Sequence, residues 1–310
     1  MTSALFKLML CVPVVFATNV WAASTAAPLR VCMAENNAPF SHKARRGPVK
    51  GLDVAIAGAI AARLGRPLEI VPFESELEDE STLSQEVNAM LSSNVCELAS
   101  GFAMLQQDLG PPSRVTSRTS EYPGAKSYKQ RPWITLGTLI PSQPYHAVAM
   151  TLVVKDDALA DLTLGNLGEA RIGALAGTVA GAATVLFDNG RLTKRVRHLS
   201  RDDDAFEMIN SGVVETMLVS QSRLDNFARE NPGNRMRSTG YLHPLRLNLG
   251  FVALATQKPL LTEVSAEIAS AISDGRLAKW ATNSGVTWLA PKQPYVSQGP
   301  MLAQLRGVTN

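Results

Sequence analysis

One order of elements occurs twice in this 310-residue chain, and each occurrence demands a sheet covered by helices. In the first, residues 29–34 read as a strand and 35–41 as a loop, before a helix opened by Gly51-Leu52-Asp53. Asp53 suits the N-cap; Ala57, Ile60, Ala61 and Leu64 recur at helical spacing, and Gly65 closes the helix. A strand over 68–73 follows. Thr82 with Gln85 forms a capping box ahead of Leu83, Val87, Met90 and Leu91 on one helical face, and a third strand is expected over 95–100. The second occurrence has strands at 171–175, 195–199 and 213–220 and helices over 181–187, 205–210 and 222–229, with Ser200 and Asp203 capping the middle one. Alternation of this kind gives parallel strands, with ligands at their carboxyl ends.

The connecting segments are less regular. Residues 105–140 carry Gly110-Pro111-Pro112, Tyr122-Pro123-Gly124 and Arg131-Pro132, and read as an ordered insertion because Tyr122, Tyr128 and Trp133 are available for burial. Strands over 147–154 and 247–255 suit crossings between two halves. Pro259 opens an amphipathic helix with Leu260, Leu261, Val264, Ile268 and Ile272 on its apolar stripe, and Gly275 ends it. Residues 289–310, with Pro291, Pro294, Gly299 and Pro300, read as a surface tail.

Residues 1–22 have the form of an export signal: Lys7, an apolar run over 8–16, then Val20-Trp21-Ala22 as a cleavage site. The apolar run is shorter than the roughly 20 residues that span a bilayer. A formal net charge of +3, without a dense basic patch interleaved with aromatics, gives no footprint for nucleic acid. Beyond Cys11 in the signal, Cys32 and Cys96 remain. In an exported chain this pair reads as a disulfide rather than a metal site, since no histidine lies at ligand spacing; two buried thiols are the alternative. Such a bridge closes a loop of about 65 residues, worth about 4 kcal/mol in the chain-entropy model. The histidines, His42, His146, His198 and His243, are scattered, and no GxSxG, HExxH or phosphate loop occurs. No catalytic residue, metal or cofactor is therefore expected, and the chain reads as a monomer without enzymatic activity.

Several short pieces, in order, resemble the bacterial extracellular solute-binding proteins of family 3. They are Ala38-Pro39-Phe40, Gly51-Leu52-Asp53-Val54, Leu91-Ser92-Ser93-Asn94-Val95-Cys96-Glu97, Pro141-Ser142-Gln143-Pro144-Tyr145, Gly173-Ala174-Leu175-Ala176-Gly177-Thr178 and Ser273-Asp274-Gly275-Arg276-Leu277-Ala278-Lys279-Trp280. The resemblance implies a two-lobed α/β periplasmic binding protein fold of type 2, each lobe a mostly parallel sheet flanked by helices, with two strand crossings. Lobe 1 would comprise 23–147 plus 252–288, with the insertion at 105–140; lobe 2 would comprise 148–251, and 289–310 the tail. Residues 29–41, with a second cysteine at the third strand, look still more like the binding-protein-like partners of periplasmic quinoprotein alcohol dehydrogenases. That subgroup implies an accessory role beside a dehydrogenase or cytochrome c. The alternative is a periplasmic receptor that delivers a small polar solute, other than a free α-amino acid, to an ABC permease.

The site chemistry separates these readings. An amino-acid receptor needs a guanidinium for the α-carboxylate, amides from a helix N-terminus, and a carboxylate for the ammonium. Gly177 and Thr178 supply the turn, which is equally an ordinary β-to-α connection. Where the family places threonine and arginine after the third strand, Met104-Leu105-Gln106-Gln107-Asp108 stands, and its second-lobe aspartate corresponds to Ser220. Arg114 or Arg118 of the insertion could substitute only by reaching into the cleft. Other candidates for the cleft are Glu35, Asn36, Phe40, Phe102 and Tyr145, for each of which packing or loop capping competes. Some relatives of this fold are enzymes working through cleft carboxylates, which makes Glu35 the residue of interest for catalysis.

Overall fold

The structure, a computed structural model, describes residues 26–75, 82–155 and 159–307. The export signal expected over 1–22 lies outside the described residues. Among those residues, no helix is long and apolar enough to cross a membrane.

The first half builds β1 (Leu29–Ala34), a small antiparallel sheet of β2 (Asn36–Asn37), β3 (Ser41–Lys43) and β4 (Val49–Lys50), then α1 (Leu52–Arg63), β5 (Leu68–Phe73), α2 (Leu83–Ser92) and β6 (Leu98–Ala103). Short strands β7 (Thr116–Ser117), β8 (Ile134–Thr135) and β9 (Leu139–Pro141) lead to the long β10 (His146–Val154). The second half is β11 (Ile172–Leu175), α3 (Val179–Gly190), β12 (Val196–Leu199), α4 (Ala205–Asn210), β13 (Thr216–Ser220) and α5 (Gln221–Glu230). The chain returns on the 18-residue β14 (Arg237–Leu254) and finishes with α6 (Lys258–Ser273), α7 (Arg276–Asn283) and α8 (Leu302–Leu305).

One sheet runs through both halves in the order β12-β11-β13-β10-β14-β6-β1-β5, with β9 on β14. Pairing is parallel among β1, β5 and β6 and among β11, β12 and β13, and antiparallel where β10 and β14 join the halves. Period-two alternation in β1 explains the layering: Leu29, Val31 and Met33 face α1 and α6, while Cys32 faces the cluster holding Val87 and Met90 of α2. In lobe 2, Ala183 of α3 lies in one core, and Phe206 of α4 with Leu224 of α5 in the other. Both faces of the sheet are therefore covered in each half, as the α/β pattern requires.

Cys32 and Cys96 are disulfide-bonded. Cys96, however, precedes its strand: Asn94 takes φ 58° in the turn after α2, and β6 begins at Leu98 rather than at 95. The Thr82–Gln85 capping box forms as the sequence indicates. Asp53 is not a helix cap. Gly51 occupies that position with φ 132°, where a Cβ would lie 2.1 Å from the Phe40 carbonyl oxygen. Asp53 sits in the first turn instead and points into the core. The cap of α4 is Asp204, whose Oδ1 accepts from the amides of Phe206 and Glu207, while Asp203 accepts from the Ser200 amide one turn earlier.

The insertion is ordered by polar side chains more than by its aromatics. Glu86 of α2 accepts from Ser120 Oγ (2.8 Å), Asn88 exchanges two hydrogen bonds with the Gly137 backbone, and the buried Arg131 guanidinium donates to the Lys126 and Thr119 carbonyls. Trp133 remains 49% exposed.

The segment beyond α7 is fastened to the crossing strands. Trp288 Nε1 donates to the Tyr145 carbonyl, and Asn248 Nδ2 to the Lys292 and Tyr295 carbonyls. Ser297 pairs with the backbone of Met104 and Gln106, and α8 then lies against α3, the Asp188 amide donating to the Arg306 carbonyl. Residues 288–306 thus run as a strap from lobe 1 to lobe 2.

Candidate functional site

Two pockets flank the crossing strands, one in each lobe, at the carboxyl ends of the parallel strands. The lobe 1 pocket is about 520 Å³. Ala34, Phe73 and Phe102 mark the ends of β1, β5 and β6 in its wall, and its polar lining includes Asn36, Asn37, Ser84 and Asp108. Asp108 accepts from Ser84 Oγ at 2.7 Å. No arginine or lysine lines this pocket.

The lobe 2 pocket is about 280 Å³ and has the opposite character. Val148 and Met150 of β10, Leu245 and Leu247 of β14, Met217 and Val219 of β13 make it apolar. Thr178, Ser220 and Arg223 are the polar residues at its edge. The hydroxyls are committed to the fold: Thr178 Oγ1 donates to the Leu175 carbonyl and accepts from the Gly181 amide, and Ser220 Oγ accepts from the Arg223 amide. Both are helix N-caps. The Arg223 guanidinium lies against Phe206 and 3.4 Å from Asp204.

Behind the lobe 1 pocket lies a buried charge-bearing pair. Tyr145 Oη donates to Asp53 Oδ1 at 2.6 Å, and both residues are inaccessible to solvent. Burial pushes the Asp53 carboxyl up to about 6, against the pull of the Tyr145 and Ser100 hydroxyls. The same burial, with the Asp53 charge beside it, raises the Tyr145 phenol well above its ordinary range. Gly101, in the pocket floor, separates this pair from the pocket: a Cβ there would lie 3.1 Å from Asp53 Oδ2. His146 packs against Phe40 with the rings tilted by 57° and their centroids 5.1 Å apart, and burial holds it down at about 4, so it is neutral near pH 7.

The eight candidates from the sequence are therefore distributed as follows. Asn36 and Phe102 line the lobe 1 pocket, and Thr178 and Ser220 the lobe 2 pocket. Gly177 provides the left-handed turn (φ 76°) leading to Thr178. Glu35 is turned to Lys43 (3.0 Å), and Phe40 and Tyr145 are packed in the lobe 1 core. Arg118 does not enter the cleft: its guanidinium covers the Tyr128 and Trp133 rings at 5.0 and 4.7 Å. Neither Arg114 nor Arg118 lines either pocket. Asn37, Ser84, Gln107 and the apolar lining of lobe 2 were not singled out by sequence; Gln107-Asp108, the departure after the third strand, was the one visible signal. Among the described residues, no group of three or more His, Cys, Asp or Glu is placed to hold a metal ion.

No protein-family model matches the sequence, and no curated protein does. Solved structures match over most of their length. An ancestral cationic amino acid solute binding protein superposes with a TM-score of 0.56 at 19% identity, covering 83% of this chain and 94% of that one. The L-cystine solute receptor of Neisseria gonorrhoeae, in its unliganded open conformation, gives 0.58 at 16% identity over 83% and 92%. The fold is that of the two-lobed periplasmic binding proteins. An ancestral cyclohexadienyl dehydratase variant shares it too, with a TM-score of 0.53 at 16% identity over 83% and 92%, so receptors predominate among these neighbours without exhausting what the fold does.

Proposed function

We propose that this chain is a solute-binding protein of the bacterial envelope that closes two lobes on a small ligand and presents it to a membrane partner such as an ABC permease. The observation that carries this reading is the pair of pockets at the strand ends of both lobes, on either side of two crossing strands. The ligand is matched to their contrast: an apolar body for lobe 2 and a donor-bearing head, hydroxyl, amide or amine, for the amides and Asp108 of lobe 1. Free α-amino acids bound through a lobe 1 guanidinium do not fit, because that pocket is lined by acceptors and amides without a cation. A zwitterion closed there would leave its carboxylate desolvated, at a cost of several kcal/mol.

Thermal-shift screening of the mature chain tests this. Arginine, glutamine and cystine at millimolar concentration should leave the melting temperature within about 1 °C, whereas an aryl or alkyl compound bearing a hydroxyl, amide or amine should raise it by several degrees, following RT ln(1 + [L]/Kd). A large shift with a free amino acid would overturn the ligand assignment; no shift across a broad solute panel would overturn the receptor reading.

A second reading, an accessory docking beside a periplasmic quinoprotein alcohol dehydrogenase, draws support from the insertion. There Trp133, carrying Arg118 on its ring, stands half exposed, and Val115 is also exposed. Aromatic and arginine side chains of this kind are enriched at interface centres. Co-elution with a purified quinoprotein dehydrogenase at micromolar concentration, lost in Trp133→Ala, is the expected result. Separate elution would remove this reading.

A further inference from the structure

The crossing strand β14 has two faces, and only one of them looks into the cleft. Leu245 and Leu247 line the lobe 2 pocket, while the alternate residues Pro244, Arg246 and Asn248 line a separate pocket of about 490 Å³ on the reverse side. Its opposite wall is the strap, through Lys292, Ser297 and Gln304. We propose that this rear pocket is a second ligand site, specific for a small organic anion bearing carboxylate or phosphate groups.

The chemistry of the wall selects that class. Arg246 and Lys292 are its charged residues, and neither aspartate nor glutamate is in its lining. Arg246 Nε is buried with no hydrogen-bond partner. That nitrogen is closed off from the pocket, but Arg246 as a whole is only partly buried and its guanidinium has no ion pair among the described residues, so a carboxylate or phosphate oxygen in the pocket is the partner for a charge-assisted bond. The remaining lining offers further polarity, from Gln106, Gln293, Gln298 and Gln304, enough to hold the uncharged parts of such a molecule. The volume lies in the range of small-molecule sites. Because the wall combines β14 with a strap that reaches both lobes, an occupant contacts the joint from behind. The site therefore couples to lobe movement without sharing residues with the cleft, and it does not depend on the cleft holding a solute.

Calorimetric titration of the mature chain with succinate, citrate and inorganic phosphate, at low ionic strength, is the test. At least one anion should bind with submillimolar affinity, weakening about tenfold or more in Arg246→Gln. Val179→Trp, which crowds the cleft at an exposed position of its lobe 2 wall, should leave that affinity unchanged. Should Arg246→Gln fold poorly, Lys292→Gln, on the strap side, should also weaken binding. The proposal is overturned if none of the three anions binds at about 10 mM. It is equally overturned if Val179→Trp abolishes binding that Arg246→Gln leaves intact, since the anion would then sit in the cleft. Failure of every cleft ligand leaves this result untouched, so the two sites are judged separately.

Discussion

A Cys32→Ser/Cys96→Ser double variant is expected to melt roughly 10 °C below the parent protein, at about 2–3 °C per kcal/mol for a chain of this size. The bond joins β1 to the loop entering β6 across a sequence separation of 64, and loop-closure entropy then gives about 4 kcal/mol. Its two ends are buried, with Phe73, Val87 and Met90 in the same apolar cluster, so serine hydroxyls there add a desolvation cost. Cys32→Ala/Cys96→Ala removes that second contribution, and the difference between the two variants measures it. Calorimetry with and without reductant supplies the melting temperatures, and thiol titration of the unreduced, denatured chain checks the bond itself. Two titratable thiols, or a shift under about 2 °C in both variants, would contradict the assignment.

Asp53→Asn should make the protein more stable at pH 7, by as much as about 3 kcal/mol, and leave it unchanged below pH 4. The carboxyl titrates near 3.8 when unfolded and at about 6 when folded, because burial disfavours its charge. A raised folded pKa contributes stability that is fully present below pH 3.8 and is lost as pH climbs to about 6. The amide cannot ionise, and its oxygen can still accept the Tyr145 hydroxyl. His146 works in the reverse direction: with a folded value of about 4 against 6.5, it loses stability as pH falls between those limits. Comparing Asp53→Asn with its parent cancels His146, so the stability difference should grow from nearly zero at pH 4 to a plateau above pH 6. A variant less stable than its parent above pH 6 would show that the ionised carboxylate holds the core together through Tyr145.

Local signals in the sequence were reliable where the governing contact is local. The Thr82–Gln85 box, the Pro259 start of α6 and the strand over 29–34 depend on neighbours within a turn or along one strand. The errors occur where a distant residue decides. Asp53 has the composition of a cap, yet its partner Tyr145 lies 92 residues away. β14 starts at Arg237, ten residues before the sequence suggests, because pairing with β10 carries it past Gly240 and Pro244. The cleft was only half legible for the same reason. Asn36 and Phe102 stand at strand ends that the α/β grammar locates, whereas the apolar wall of lobe 2 combines side chains of β10, β13 and β14, and core-forming residues look alike in sequence whether they face a core or a cavity.

The pairing of β10 with β14 breaks register between Ala149 and Thr151 and again between Thr151 and Val153. A regular ladder resists bending, and interruptions concentrate it. These irregularities sit beside Val148 and Met150, in the wall of the lobe 2 pocket. On the proposed two-lobed closure, a molecule lodged there would press on the fulcrum and not on the tips of the jaws, so a small change in its girth would be levered into a large change in how far the jaws travel.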